Sequence, residues 1–232
     1  MPFAAARPHR GRAFTLIELL VVIAVIALLI SLLLPALGRA RETSKSVTCL
    51  SNLHSFGQAV TLYNSAFNEF YPLSSHSAKS IDSPSAWLES LQPYGVTAQD
   101  RFCPMDPARA SRLASYATND HFEPLTPGID YNPFSKQTLP GGRTRALNRV
   151  FLIPRPSTTV YVVEPAGSGS IDHIHSIGWT TPAQVGAAIA VRLHRGAANY
   201  LFADGHAGPI PWAEISSTFR PDHNVLDPEQ AP

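Results

Sequence analysis

The stretch HRGAANYLFADGH, residues 194–206, gathers side chains suited to chemistry: an imidazole at each end and a carboxylate two residues before the second. His194, Asp204 and His206 are candidate metal ligands, because imidazole and carboxylate together suit zinc and related ions. A structural reading competes. In it Asp204 bonds backbone N–H groups of its own turn, and His194 anchors a neighbouring carbonyl. His173 and His175 share a strand face at i and i+2, either to extend a metal site or to form polar surface. Calcium wants several carboxylates, and this region offers only Asp172 and Asp204 without an acidic cluster. Cys49 and Cys103 belong to no CxxC pair, which argues against a structural zinc site, while two cysteines in an exported chain permit one disulfide. Enzymatic patterns fare worse. GSGS at 167–170 lacks the G-x-S-x-G arrangement, and there is no P-loop, HExxH or dinucleotide fingerprint. A Ser/His/Asp triad can be assembled from any chain with nine histidines, and no spacing supports one. The expectation is a chain that is not an enzyme and needs no cofactor.

A second chemical group sits near the start. From Phe14 to Leu34, eighteen of twenty-one side chains are apolar, and one of the three exceptions is Glu18. At about 1.5 Å per residue such a helix spans roughly 30 Å, the hydrocarbon thickness of a bilayer. An acid at the centre of a membrane helix costs on the order of 2.5–3.5 kcal/mol, and less near the interface. Two accounts of Glu18 stand. Thr15 and Glu18 have the spacing of a capping box, with the acid answering free N–H groups at the helix start. Alternatively, Glu18 pairs with a cationic amino terminus created by cleavage just before Phe14.

The run RAFTLIELLVVIAVIALLISLLLPAL resembles the amino terminus of type IV pilins and type II secretion pseudopilins. The resemblance covers residues 10–37, and FTLIELL is its specific part. It implies a leader of residues 1–13, a cut between Ala13 and Phe14 by a prepilin peptidase, methylation of the Phe14 amine by the same enzyme, and Glu18 as the acid that guides assembly. The family usually carries Gly before the cut; here Ala13 keeps the site small. Losing the leader removes Arg7, Arg10 and Arg12 and moves the net charge from +1 to −2. The implied partners are that peptidase, other pseudopilin subunits and a secretion assembly platform in the inner membrane. The implied location is the inner membrane, crossed once, with the large domain on the periplasmic side or in an extracellular filament. Charge alone leaves orientation tied: Arg7, Arg10 and Arg12 precede the span, and Arg39, Arg41 and Lys45 follow it. His194, nine residues, then Asp204-Gly205 resembles the H-X9-DG segment at the carboxyl end of many pilin-like proteins, especially in planctomycetes.

These groups need elements to hold them. Pro35 and Gly38 predict a kink or melted turn where the apolar run ends. Beyond it, Cys49, Leu53, Phe56, Val60, Tyr63 and Phe67 recur at helical spacing and mark one apolar face. Because Cys49 lies on that face, a bridge to Cys103 is geometrically reasonable; two buried free thiols are the alternative, and the exported location favours the bridge. Pro and Gly, 21 and 14 in number, predict loops and short strands later on. A short helix is expected near 85–91. Strands are expected at 149–153, 159–164, 187–193, 198–203 and 206–212, with Asp204-Gly205 as a hairpin turn.

With 232 residues there is room for one ordinary domain and an appendage. Charged residues make up 15%, the net charge is +1, and no basic tract exceeds Arg10-Gly11-Arg12, so no nucleic-acid partner is expected. The expected fold is α+β and pilin-like: a long helix, half transmembrane and half amphipathic, packed on a carboxyl-terminal antiparallel sheet. The divisions are 1–13 leader, 14–35 membrane span, 36–70 amphipathic helix, 71–148 loop-rich and 149–232 antiparallel β. The expected function is a structural subunit of a pilus-like filament, of a type II secretion system. The alternative is a membrane-anchored envelope module binding metal or glycan.

Overall fold

The computed structural model describes residues 15–75, 86–123, 147–169, 171–220, 224–229 and 231. The chain forms two compact units, 1–43 and 44–232. Helix α1, Leu16–Ala66, begins in the first and ends in the second.

In the first unit α1 displays its apolar side chains outward. Leu16, Ile17, Leu28 and Leu32 through Leu34 are all more than half exposed. Among the described residues α1 is the one helix long and apolar enough to cross a membrane. The helix runs unbroken through Pro35 and Gly38, so the expected melted turn does not form. A missing N–H is cheapest to accommodate when the rest of a long run keeps its i→i−4 bonds, and both sides of Pro35 are strong helix formers.

The second unit is a sheet between two helical layers. Its strands are β1 (Ala117–Asn119), β2 (Val160–Val163), β3 (His173–Ile174), β4 (Ala197–Phe202) and β5 (Ala207–Pro211), in the order β3-β1-β2-β4-β5. All neighbours are antiparallel except β1 and β3, which run parallel. The sheet is therefore mixed, a correction to the purely antiparallel sheet expected. Two of its strands, β1 and β3, are too short to show period-2 alternation and take their place from their partners.

One sheet face meets the carboxyl-terminal part of α1. Leu53, Phe56, Ala59 and Val60 pack with Tyr116, Tyr161, Val162 and Leu201. Phe56 meets the rings of Trp87, from α2 (Ala86–Leu91), and Tyr116 edge-on at 5.6 and 5.1 Å, a favoured aromatic geometry. The other face carries Ala198, Tyr200, Phe202, Val160 and Val163 against Val185 of α3 (Pro182–Ala188) and Ile215 of α4 (Trp212–Thr218). A register shift between Val160 and Val162 explains why consecutive Tyr161 and Val162 face the same side. The fold is α+β, with the long amino-terminal helix packed on the sheet, consistent with a pilin-like arrangement.

Two expected strands take other forms. Residues 150–152 make a 3-10 turn, with a single bridge from Arg149 to Phe70. Residues 182–188 are helical because Thr181 and Gln184 form a capping box with Pro182 in the first turn; only Ile189 keeps a bridge, to Pro165.

Candidate functional site

The proposed cut between Ala13 and Phe14 lies outside the described residues. Immediately after it the expected Thr15–Glu18 capping box is formed. The Glu18 carboxylate accepts from the Thr15 N–H at 2.8 Å and from the Thr15 hydroxyl at 2.7 Å. The Glu18 N–H returns a bond to Thr15 Oγ1 at 3.3 Å. Both residues are exposed, and among the described residues the carboxylate is held by its own helix end alone.

The carboxyl-terminal constellation divides into two clusters. His194 sits in the turn entering β4, where its N–H donates to Ala197 O at 2.9 Å. Its side chain is buried, with Nε2 2.8 Å from both oxygens of Glu164, the residue that follows β2. Glu164 Oε2 also accepts from the Asn199 N–H of β4 at 3.1 Å. Burial pushes the Glu164 carboxyl above its ordinary range, and the hydrogen bond from His194 only partly offsets this. The same Nε2 lies 3.9 Å from Cys103 Sγ. Cys103 is joined to Cys49 of α1 by a disulfide, and both are fully buried. The bridge closes 54 residues of chain.

Asp204 and Gly205 make the turn between β4 and β5. Asp204 Oδ1 accepts from the His206 N–H at 3.1 Å and lies 2.6 Å from His206 Nδ1, while the His206 ring stacks on Phe202 at 4.1 Å. Gly205 has φ +89°, a left-handed conformation that favours glycine. Its backbone also presses on α1: a Cβ at Gly57 would stand 2.1 Å from Gly205 O. The His-to-Asp-Gly interval thus brackets β4. Histidine ties the start of β4 to the end of β2, and Asp-Gly seats the end of β4 on the helix.

The structure does not gather His194, Asp204 and His206 around one point, which corrects their reading as a joint metal site. His194 turns inward to Glu164, while Asp204 and His206 pair with each other at the surface. His173 pairs with Asp172 at 2.8 Å, and His175 faces Asp120 at 3.6 Å, with the two imidazoles edge-on at 4.7 Å. Glu164 was not legible as a site residue. It stands thirty positions from His194 with no local pattern linking them. Gly57 gave a weak signal, a lone glycine inside a helical run.

Residues 8–34 match the family described as the prokaryotic N-terminal methylation motif. The match takes in Phe14, Glu18 and the apolar run and stops before the globular unit. No curated protein sequence and no solved structure matches the chain. The motif and, among the described residues, the one helix apolar enough to cross a membrane support membrane anchoring and a pilin- or pseudopilin-like processed subunit.

Proposed function

We propose that the chain is a structural pseudopilin-like subunit, cut between Ala13 and Phe14, methylated on the new amine and assembled into a pilus-like filament of a type II secretion system. The observation that carries this reading is the methylation motif over residues 8–34 leading into an outward-facing apolar helix whose only carboxylate in its first turn is Glu18. Prepilin peptidase and methyltransferase, other pseudopilin subunits and an inner-membrane assembly platform are its partners. The globular unit stands on the periplasmic side.

The chemistry is a change of partner. Before cleavage, Thr15 occupies the Glu18 carboxylate and makes it tolerable near the membrane surface. Cleavage creates an ammonium four residues away in sequence, and methylation keeps its charge. In a filament the carboxylate of one subunit meets the ammonium of the next. At 4 Å and an effective dielectric constant of about 20, this attraction is about 4 kcal/mol, stronger than two exposed hydrogen bonds to a threonine. An unpaired acid in lipid is costly, so the pair also fixes the register between subunits.

Glu18→Gln tests the assembly step. It keeps the size and the acceptor oxygen for Thr15 but removes the charge. Crosslinks between neighbouring copies in membranes should fall to background while the amount of processed protein stays the same. Unchanged crosslinking would favour the alternative, a membrane-anchored envelope module for which the span is only a tether. That reading has its own support in a cleft of about 480 Å³ lined by Asp172, His173, His175 and Trp179. No enzymatic role is proposed.

A further inference from the structure

We propose that the reduced chain binds one zinc ion through Cys49, Cys103, Glu164 and His194, so that disulfide and metal are alternative clasps joining the same segments. The sequence spacing of the cysteines argued against zinc, but the fold assembles what the spacing lacks. One ligand atom from each of the four residues lies within 4.8 Å of every other, and all four residues are buried. Each stands on a different segment: α1, the turn at 103–106, the end of β2 and the entry to β4. The donor set is two thiols, an imidazole and a carboxylate, a combination that selects zinc over calcium or magnesium.

The distances require only side-chain movement. In a tetrahedral zinc site with bonds of about 2.0–2.3 Å, ligand atoms stand roughly 3.3–3.8 Å apart. His194 Nε2 and Cys103 Sγ are already 3.9 Å apart. Nε2 and the Glu164 oxygens, at 2.8 Å, must open by about half an ångström, and the sulfurs separate when their bond is broken. A disulfide alone accounts for the cysteines but not for the buried carboxylate and imidazole set against it. The hydrogen bonding of this group is also incomplete, since His194 Nδ1 and Asn199 Nδ2 are buried without a partner among the described residues.

A dithiol reductant gives two electrons and two protons to the Cys49–Cys103 bond and itself becomes a disulfide, leaving two thiols. Zinc then displaces both thiol protons to solvent and takes the imidazole and carboxylate as its remaining ligands. None of this depends on filament assembly.

The test uses the full chain in detergent micelles, reduced with a phosphine under argon and titrated with cobalt(II), then zinc. The expected result is one cobalt per reduced chain, with a thiolate-to-cobalt charge-transfer band and tetrahedral ligand-field bands, abolished by one equivalent of zinc. The disulfide form should show none of these. Reduced His194→Ala and Glu164→Gln, first checked for native circular dichroism in their disulfide forms, should bind at least about tenfold more weakly. If a variant does not fold, the oxidised and reduced wild type decide the matter alone. Should reduction unfold the wild type, zinc should restore its native spectrum. A reduced wild type without the thiolate–cobalt band, or His194→Ala binding as tightly as wild type, would overturn the proposal.

Discussion

Gly57→Ala puts a single methyl between α1 and the β4–β5 turn. The added Cβ would stand 2.1 Å from Gly205 O and 3.0 Å from Leu201 Cδ1, where ordinary contact begins at 3.4 Å. The leucine can rotate, but the carbonyl cannot easily retreat. The turn is pinned by Gly205 N–H to Phe202 O at 3.0 Å, Asp204 N–H to Pro156 O at 3.2 Å and Ala203 N–H to Thr159 O at 2.9 Å. The helix is pinned by Phe56, Val60 and the disulfide at Cys49. Helix and turn must therefore part by about 1.3 Å, the difference between the two distances. Overpacking costs about 1–3 kcal/mol, and backbone against backbone belongs at the upper end. Alanine returns about 1 kcal/mol of helix propensity, leaving a net loss of roughly 2 kcal/mol. Urea unfolding of the full chain in detergent, followed by tryptophan fluorescence, reads this loss as a lower midpoint at unchanged slope. Gly186→Ala is the control: its Cβ would meet the Trp212 ring at 3.4 Å, and it should be neutral or stabilising by up to about 1 kcal/mol. A Gly57→Ala midpoint equal to or above wild type would refute the close-approach argument.

Reducing the Cys49–Cys103 bridge in the presence of a chelator should cost about 4 kcal/mol for a loop of 54 residues, measured by the same urea titration. Asn119→Ala should cost about 2–4 kcal/mol, because Asn119 Nδ2 serves Val160 O and Leu226 O at 2.9 and 2.6 Å while Oδ1 accepts from the Ser176 hydroxyl at 2.6 Å. The Asp120–His175 pair should give stability a two-sided pH dependence. Burial pushes Asp120 up, but the His175 hydrogen bond, the His121 charge and the Ser176 N–H together hold it below 3.8, so its contribution is present above that pH and lost as pH falls through the lower folded value. The Asp120 hydrogen bond raises His175 above 6.5, so its contribution is present below that pH and lost as pH rises through the higher folded value. His175→Ala should flatten the alkaline limb by at most about 1 kcal/mol, since His175 is largely exposed.

Legibility followed the range of the interactions. Cys49, Leu53, Phe56 and Val60 repeat at helical spacing, and all four are buried, because one helix face meets one sheet face. Tyr63 and Phe67 continue the pattern but stack on each other at 4.3 Å near the helix end, where Phe67 is exposed. β4 and β5 were readable as short β-prone runs on either side of Asp204-Gly205, a turn that dictates its own geometry. The helix at 182–188 was missed although Thr181-Pro182-Ala183-Gln184 carries a local start signal; the β-prone residues beyond it drew the wrong boundary. β1 and β3, of three and two residues, have no period of their own and exist through pairing with distant segments. The same holds for the site. Glu18 is read from its neighbours, whereas Glu164 becomes a partner of His194 and the cysteines only once the chain is folded.

Pairing of Glu18 with a neighbour's ammonium requires a mature amino terminus at Phe14. Intact-mass measurement of the chain from native membranes reads it directly. The expected mass is that of a polypeptide starting at Phe14, residues 1–13 lost, with one added methyl group and two hydrogens fewer for the disulfide. A chain that still begins at Met1 in membranes where other prepilins are processed would contradict it.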